Sequence, residues 1–233
     1  MVEYFHLEDT EETYDACADV ISEAVGDLLE VKDKVVLAVP GGRNVARVFQ
    51  NLKKKNLPWH KIHFFMVDER FVDFEDKESN YRILKENLVD PLLSEDKLPG
   101  SNLHPFVYEP EEDDDGVKEY EEELKMVGGS FDIVLLSSGE DGHVGALYPN
   151  HHSIKNESDY FVKMNDSPKP PSERMTSSRK LLQRAKVALL LFVGDGKKDA
   201  YNKFNDESVS VEECPAKLIN TIANSFVFTD YKQ

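Results

Sequence analysis

Four short, largely apolar runs constrain the fold of this chain more than any other feature of its sequence. They are VVLAV at 35–39, IHFFMV at 62–67, FDIVLL at 131–136 and VALLLFV at 187–193. Each is followed within a few residues by glycine or by charged residues. A strand that is buried on both faces has this composition, because neither of its sides needs polar residues. The runs therefore predict a sheet whose two faces are covered.

Helical patterns separate these strands. They place apolar residues three and four positions apart, and they occur at 10–30, 43–55, 80–88, 196–204 and 216–223. A last strand is predicted at 225–229. Strands that alternate with helices are typical of βαβ units. We therefore predict a single α/β domain over residues 1–233, with a mainly parallel, Rossmann-like β-sheet covered by helices on both faces.

The loops after the four apolar runs carry the candidate functional residues. Ligands of open α/β sheets bind beyond the carboxyl ends of the strands, and the carboxyl ends of parallel strands meet at one edge. Glycines there let backbone N–H groups approach a ligand, and helix N-termini favour anions. The pattern predicts an anion site, with phosphate as the first choice. The four loops are Gly41–Gly42–Arg43–Asn44, Asp68–Glu69–Arg70, Gly139–Glu140–Asp141–Gly142–His143 and Gly194–Asp195–Gly196–Lys197.

The net charge of the chain limits its partners. Lysine and arginine number 28 against 45 acidic residues, which gives a formal charge of −17. This charge repels nucleic acids and anionic membranes, so we expect neither as a partner. The sequence has no apolar run near the ~20 residues that cross a bilayer. The opening residues lack a signal-peptide pattern, and only Cys17 and Cys214 are present, so we expect a cytoplasmic protein without a disulfide framework.

Several motifs together resemble one family. GEDGHVGALYP (139–149) is similar to the signature of the 6-phosphogluconolactonases, which are related to the glucosamine-6-phosphate deaminases. DERFV with a following SN (68–80), PPSERMT (170–176), GDGKK (194–198) and CPA (214–216) resemble further motifs of that family along nearly the whole chain. The resemblance implies hydrolysis of 6-phosphoglucono-δ-lactone to 6-phosphogluconate in the oxidative pentose phosphate pathway. It also implies that neither a metal nor an organic cofactor takes part.

The resemblance also assigns roles to single residues. His143 corresponds to the catalytic histidine, and an imidazole suits a general base near neutral pH. Asp141 is in a position to orient that ring. Arg70, Arg174 and Lys197 correspond to positions that bind the phosphate or the nearby substrate, and Asp68 is common to both branches of the family. For the developing oxyanion, backbone N–H groups around Gly41–Gly42 or Gly139 are candidate donors.

The first glycine loop departs from the family pattern. Where hydroxyl residues followed by proline are usual, this chain has Arg43 and Asn44. We include both among the candidate substrate- and phosphate-binding residues, together with Gly41 and Gly42.

Two other functions remain open at this point. One is the deaminase branch of the family, which carries a glutamate five residues after the motif histidine, where this chain has Tyr148. The other is a sugar-phosphate-binding protein without turnover. A metal site near His143, His151 and His152 is not predicted, because the spacing fits no common zinc signature. The expected partner is a small sugar-phosphate lactone, and the chain is expected to be a monomer or a weak dimer.

Overall fold

The computed structural model describes residues 2–232. Ten strands are formed in this part of the chain: β1 (Val2–His6), β2 (Val35–Val39), β3 (Ile62–Met66), β4 (Asp68–Arg70), β5 (Leu103–His104), β6 (Ile133–Ser137), β7 (Phe161–Met164), β8 (Arg174–Ser177), β9 (Val187–Phe192) and β10 (Asn224–Thr229). The eight α-helices of the same residues are α1 (Thr10–Leu29), α2 (Arg43–Leu52), α3 (Asn80–Leu84), α4 (Asp90–Ser94), α5 (Val117–Met126), α6 (His152–Lys155), α7 (Arg179–Gln183) and α8 (Lys198–Asn205).

Seven strands form one parallel sheet in the order β1-β10-β9-β6-β2-β3-β5. The four apolar runs became β2, β3, β6 and β9, so the predicted mainly parallel α/β fold is confirmed. In the sheet, β3 and then β5 lie on one side of β2, and β6, β9 and β10 follow one another on its other side. The order therefore reverses between β2 and β6, and such a reversal opens a crevice at the carboxyl edge of a sheet.

Both faces of this sheet are buried. Along β2, the side chains of Val35, Leu37 and Val39 pack with α1 and α2 in one apolar cluster. Val36 and Ala38 face the other way, into a second cluster that includes residues of α5, α7 and α8. This division follows from the alternation of side chains along a strand. It explains why the run could be apolar at every position.

A second, three-stranded antiparallel sheet was not predicted. It has the order β4-β8-β7, and β4 begins two residues after β3 ends. The segment from 216 to 223 also differs from its prediction, because it forms a 3₁₀ helix at Pro215–Thr221 rather than an α-helix. Among residues 2–232, no helix is both long and apolar enough to cross a bilayer.

Candidate active site

A cleft of about 330 Å³ lies at the carboxyl edge of the parallel sheet, where β2 and β6 end. Its wall contains residues from all four of the predicted loops and from β8. Four of the lining side chains are cationic, and a single imidazole faces the same space: Arg70, Lys169, Arg174, Lys197 and His143. The carboxylates of Asp68 and Glu140 lie in the same wall. The cationic side chains outnumber them in a chain of net charge −17, and this local balance favours an anion.

His143 and Asp141 form a hydrogen-bonded pair at this cleft. Asp141 Oδ1 lies 2.5 Å from His143 Nδ1 and also accepts the backbone N–H of His143 at 3.2 Å. Burial alone would raise the pKa of the Asp141 carboxyl, but the contacts with His143 and the charge of Lys169 lower it well below the usual range. A carboxylate that stays ionised fixes the ring through Nδ1. The second ring nitrogen, Nε2, is then the atom that can exchange a proton.

Gly139 makes room for this imidazole. A Cβ at position 139 would lie 2.0 Å from Cε1 and 2.1 Å from Nδ1 of His143. The backbone N–H of Gly139 donates to the His143 carbonyl at 2.8 Å, which closes the turn. Because that N–H is already used, the predicted oxyanion donor at Gly139 is not free in this structure. On its other side the ring packs against the buried Tyr148, with centroids 4.9 Å apart.

Arg174 and Asp68 are diagonal neighbours in the antiparallel β4–β8 pair. Arg174 is only 5% exposed, and its guanidinium donates to the carbonyl groups of Lys169, Pro170 and Pro171. Its Nη1 lies 3.7 Å from Asp68 Oδ2. The Arg174 side chain therefore holds the preceding loop in place through these hydrogen bonds, and its guanidinium group lies in the wall of the cleft.

Arg70 reaches the cleft from β4. Its Nη1 donates to the Glu78 carbonyl, and its Nε is buried without a hydrogen-bond partner among residues 2–232. The neighbouring Glu69 accepts the N–H groups of Asn80 and Tyr81, which fixes the start of α3 behind the arginine. Burial raises the pKa of the Glu69 carboxyl. A buried donor without an acceptor is costly. The Glu78 carboxylate, whose Oε2 lies 3.9 Å from Arg70 Nη1, offsets part of this cost.

Lys197 closes the wall on the β9 side. Its Nζ donates to Ser137 Oγ at 2.8 Å. Burial lowers the pKa of the Lys197 ammonium to about 8, although the carboxylates of Asp230 and Glu140 act to raise it. The amine is therefore cationic at neutral pH but loses its charge more readily than an exposed lysine.

The first glycine loop contributes its backbone to the cleft. Gly41 and Gly42 line it, and a Cβ at Gly41 would lie 1.9 Å from Asn80 Oδ1. Gly42 has φ +110°, a conformation that favours glycine. Arg43 is exposed at the start of α2, whereas Asn44 accepts from Tyr14 Oη and donates to the Val193 carbonyl, both at 3.0 Å. Asn44 thus ties α2 to α1 and to the residue that follows β9.

Lys169 was missed by the sequence reasoning. It lies in the Pro-rich connection between β7 and β8 and lines the same cleft as Arg174. The length of that connection was the available signal, since long loops in compact domains are often functional. Away from the cleft, His151, His152 and Asp166 bring their ligand atoms within 4.8 Å of one another.

The fold and this cleft define an α/β protein of the class that acts on small anionic molecules at the carboxyl edge of its sheet. Residues 8–228 match the family model described as glucosamine-6-phosphate isomerases/6-phosphogluconolactonase. The chain belongs to this family.

Two similar proteins of this family are 6-phosphogluconolactonases. A 6-phosphogluconolactonase of Borreliella burgdorferi is 32% identical over 203 residues, which are 87% of this chain and 86% of the relative. One of Thermotoga maritima is 31% identical over 183 residues, covering 78% and 80%. The crystal structure of 6-phosphogluconolactonase from Thermotoga maritima has a TM-score of 0.84 and 26% identity, over 98% of this chain and 99% of that one.

Proposed function

We propose that this protein hydrolyses 6-phosphoglucono-δ-lactone to 6-phosphogluconate, the lactonase step of the oxidative pentose phosphate pathway. The relatives that are more than 30% identical over most of their length are 6-phosphogluconolactonases. The observation that carries the proposal is the contact of 2.5 Å between His143 Nδ1 and Asp141 Oδ1 beside a cleft with four cationic side chains. In this arrangement the imidazole can act as the base in ester hydrolysis, and the cationic side chains can bind the phosphate group.

His143 acts as the general base in this proposal. Nε2 accepts a proton from a water molecule as the water oxygen attacks the lactone carbonyl carbon. The tetrahedral intermediate then collapses, the bond from that carbon to the ring oxygen breaks, and the imidazolium returns the proton to the leaving oxygen. The products are a carboxylic acid, which ionises, and a hydroxyl group. Asp141 keeps Nδ1 protonated and stabilises the imidazolium between the two transfers.

Two groups of donors serve the substrate. The N–H groups of Gly41 and Gly42 have no acceptor within the described chain, residues 2–232, and are the candidates for the oxyanion. Arg70, Arg174 and Lys197 are the proposed phosphate ligands, with Lys169 added to them. Arginine suits this task because its planar fork can bind two phosphate oxygens.

The deaminase alternative is less well supported by the geometry. Tyr148 stands where the resemblance places the deaminase glutamate, and it is buried with its Oη 2.9 Å from Ser167 Oγ. A buried phenol in that contact does not replace a carboxylate at the sugar ring. The solved structure of a monomeric glucosamine-6-phosphate deaminase has a TM-score of 0.77 at 20% identity, a likeness of fold alone.

The test is a direct assay of freshly generated 6-phosphoglucono-δ-lactone, with the spontaneous hydrolysis subtracted. We expect strong acceleration by the wild-type chain and no conversion of glucosamine 6-phosphate. Binding of 6-phosphogluconate without acceleration would identify the alternative, a binding protein without turnover. A cytoplasmic location and a monomer or weak dimer stay predictions, which fractionation and sedimentation would address.

A further inference from the structure

Three side chains of the types that bind metal ions lie close together outside the cleft: His151, His152 and Asp166. His152 Nε2 is 2.8 Å from Asp166 Oδ1 and 3.0 Å from Oδ2. His151 Nε2 is 3.6 Å from Asp166 Oδ2. Two ligand atoms on one tetrahedral zinc ion are about 3.3 Å apart, given bonds of about 2.0–2.1 Å. The separations of 2.8 and 3.6 Å lie on either side of that value, and the ligand atoms of all three residues lie within 4.8 Å of one another, so the groups are close to a ligating arrangement.

The supporting contacts also fit a metal site. His151 Nδ1 accepts the backbone N–H of Ser153 at 3.3 Å and lies 3.0 Å from Ser153 Oγ, and these contacts orient the ring so that Nε2 is directed at Asp166. A histidine that ligates zinc through Nε2 carries its ring proton on Nδ1, and Ser153 Oγ is the acceptor within reach of that proton. The side chains of His152 and Asp166 are 54% and 55% exposed. An ion can therefore enter from solvent, and water can complete its coordination.

We propose that His151, His152 and Asp166 bind a divalent transition-metal ion, with Zn²⁺ as the best fit, and that the ion ties the β7–β8 loop (residues 165–173) to the segment that follows the catalytic motif. Two imidazoles and one carboxylate suit zinc and its neighbours better than Mg²⁺ or Ca²⁺, which prefer oxygen ligands alone. The sequence spacing could not predict this site, because Asp166 comes from a separate segment.

The site has a physical connection to the cleft. Asp166 precedes Ser167, whose Oγ is 2.9 Å from both Tyr148 Oη and the Lys169 carbonyl. Tyr148 in turn packs on the ring of His143 and on that of His151. A bound ion would hold Asp166 in place, and the loop that carries Lys169 would open less often. The ion needs no part in the reaction for this effect, and the proposal does not rest on the proposed function.

Calorimetric titration of the chelator-treated full chain with Zn²⁺ tests the site. We expect one ion per chain, and at least about tenfold weaker binding in His152→Ala and in Asp166→Ala, because loss of even a supporting contact costs about 10–100-fold. His60→Ala is the matched control, since His60 is an exposed histidine outside the cluster, and it should bind as the wild type does. Absence of zinc binding, or equal affinity in all variants, would overturn the proposal. A loss in His143→Ala but not in His152→Ala would place the ion at the catalytic pair and would also overturn it.

Hydrogen exchange tests the effect on the loop. Zn²⁺ should slow amide exchange across residues 165–173 in the wild type and leave it unchanged in Asp166→Ala. If zinc binds at the cluster but exchange in the loop stays the same, the ion does not tie the loop and that part of the proposal is wrong.

Discussion

Arg70 and Arg174 lie directly opposite each other in the antiparallel β4–β8 pair. Opposite residues project from the same face of a sheet with Cβ atoms about 4.5–5.5 Å apart, and like charges in this relation are destabilising. Asp68, 3.7 Å from Arg174, offsets only part of the repulsion. An anion that binds between the two guanidinium groups would reduce the repulsion further. The Glu78 carboxylate, 3.9 Å from Arg70 Nη1, also faces one of the two guanidinium groups, and a phosphate between them would add to the partners that they already have.

Replacement of Arg70 by glutamine should weaken binding of the lactone. We expect KM to rise about tenfold or more, because hydrogen bonds to charged groups contribute about 1.5–3 kcal/mol. The fall in kcat should be smaller, and thermal stability should change little because a repulsion is removed. Steady-state kinetics and a melting curve measure both. Arg82→Gln is the control, since Arg82 is partly exposed and paired with Glu86 away from the cleft. An unchanged KM in Arg70→Gln would remove Arg70 from the binding site.

Gly139→Ala should displace the ring of His143. The new Cβ would overlap His143 at 2.0–2.1 Å, so the imidazole must move away from its position beside Asp141. A displacement of about 1 Å can cost about 10²-fold in rate, and we expect a loss of kcat of that size. Gly26→Ala in α1 is the control, because a Cβ there meets nothing within 4 Å. It should raise stability by about 0.5–1 kcal/mol without affecting kcat. Wild-type kcat in Gly139→Ala would contradict the assigned ring position.

Replacement of Asn44 should lower the stability of the protein, whereas replacement of Arg43 should not. Asn44→Ala removes the hydrogen bonds to Tyr14 and Val193, so we expect a loss of about 1–2 kcal/mol in the free energy of unfolding. Its KM should stay near the wild-type value. Arg43→Ala should leave the free energy of unfolding unchanged. A higher KM in this variant would indicate that Arg43 binds the phosphate. Chemical denaturation and steady-state kinetics give the two readouts. A large rise of KM in a fully stable Asn44→Ala would assign Asn44 to the substrate instead.

Affinity for the product should depend on pH through Lys197. Its pKa of about 8 lies below the ordinary 10.5, so the amine is mostly charged at pH 7 and mostly neutral at pH 9. The phosphate group stays a dianion over this range, since its second pKa is about 6. Binding of 6-phosphogluconate should therefore weaken by about tenfold between pH 7 and pH 9.

Lys197→Arg provides the comparison, because arginine keeps its charge throughout this range. Calorimetry should give an affinity for 6-phosphogluconate that is nearly constant from pH 7 to 9 in this variant. Parallel curves for the wild type and the variant would show that Lys197 does not hold the phosphate.

The sequence predicted the parallel sheet because burial determined its pattern. Runs such as Val35–Val39 are apolar on both faces and end at glycines, and those signals do not depend on distant parts of the chain. The three-stranded sheet was not predictable in the same way. Strand β4 has three residues, all of them charged, and becomes a strand only by pairing with residues more than a hundred positions away.

The candidate site was predictable where residues share one loop. Asp141 and His143 are two positions apart, so their contact follows from a local turn. Lys169 and Asp166 reach their neighbours through the fold of the β7–β8 loop, which no local pattern determines. Asn44 was a candidate phosphate ligand because of its position in the first glycine loop, and its hydrogen bonds to Tyr14 and Val193 could not be predicted because those residues are distant in the sequence.

The role of His143 as the base is the central claim, and a single-turnover measurement tests it most directly. Stopped-flow hydrolysis of 6-phosphoglucono-δ-lactone should be at least about 10²-fold slower in His143→Ala than in the wild type, after subtraction of the spontaneous rate. The affinity of the variant for 6-phosphogluconate should stay close to that of the wild type, because the phosphate ligands are intact. Equal rates in the two proteins would contradict the account and exclude His143 as the base.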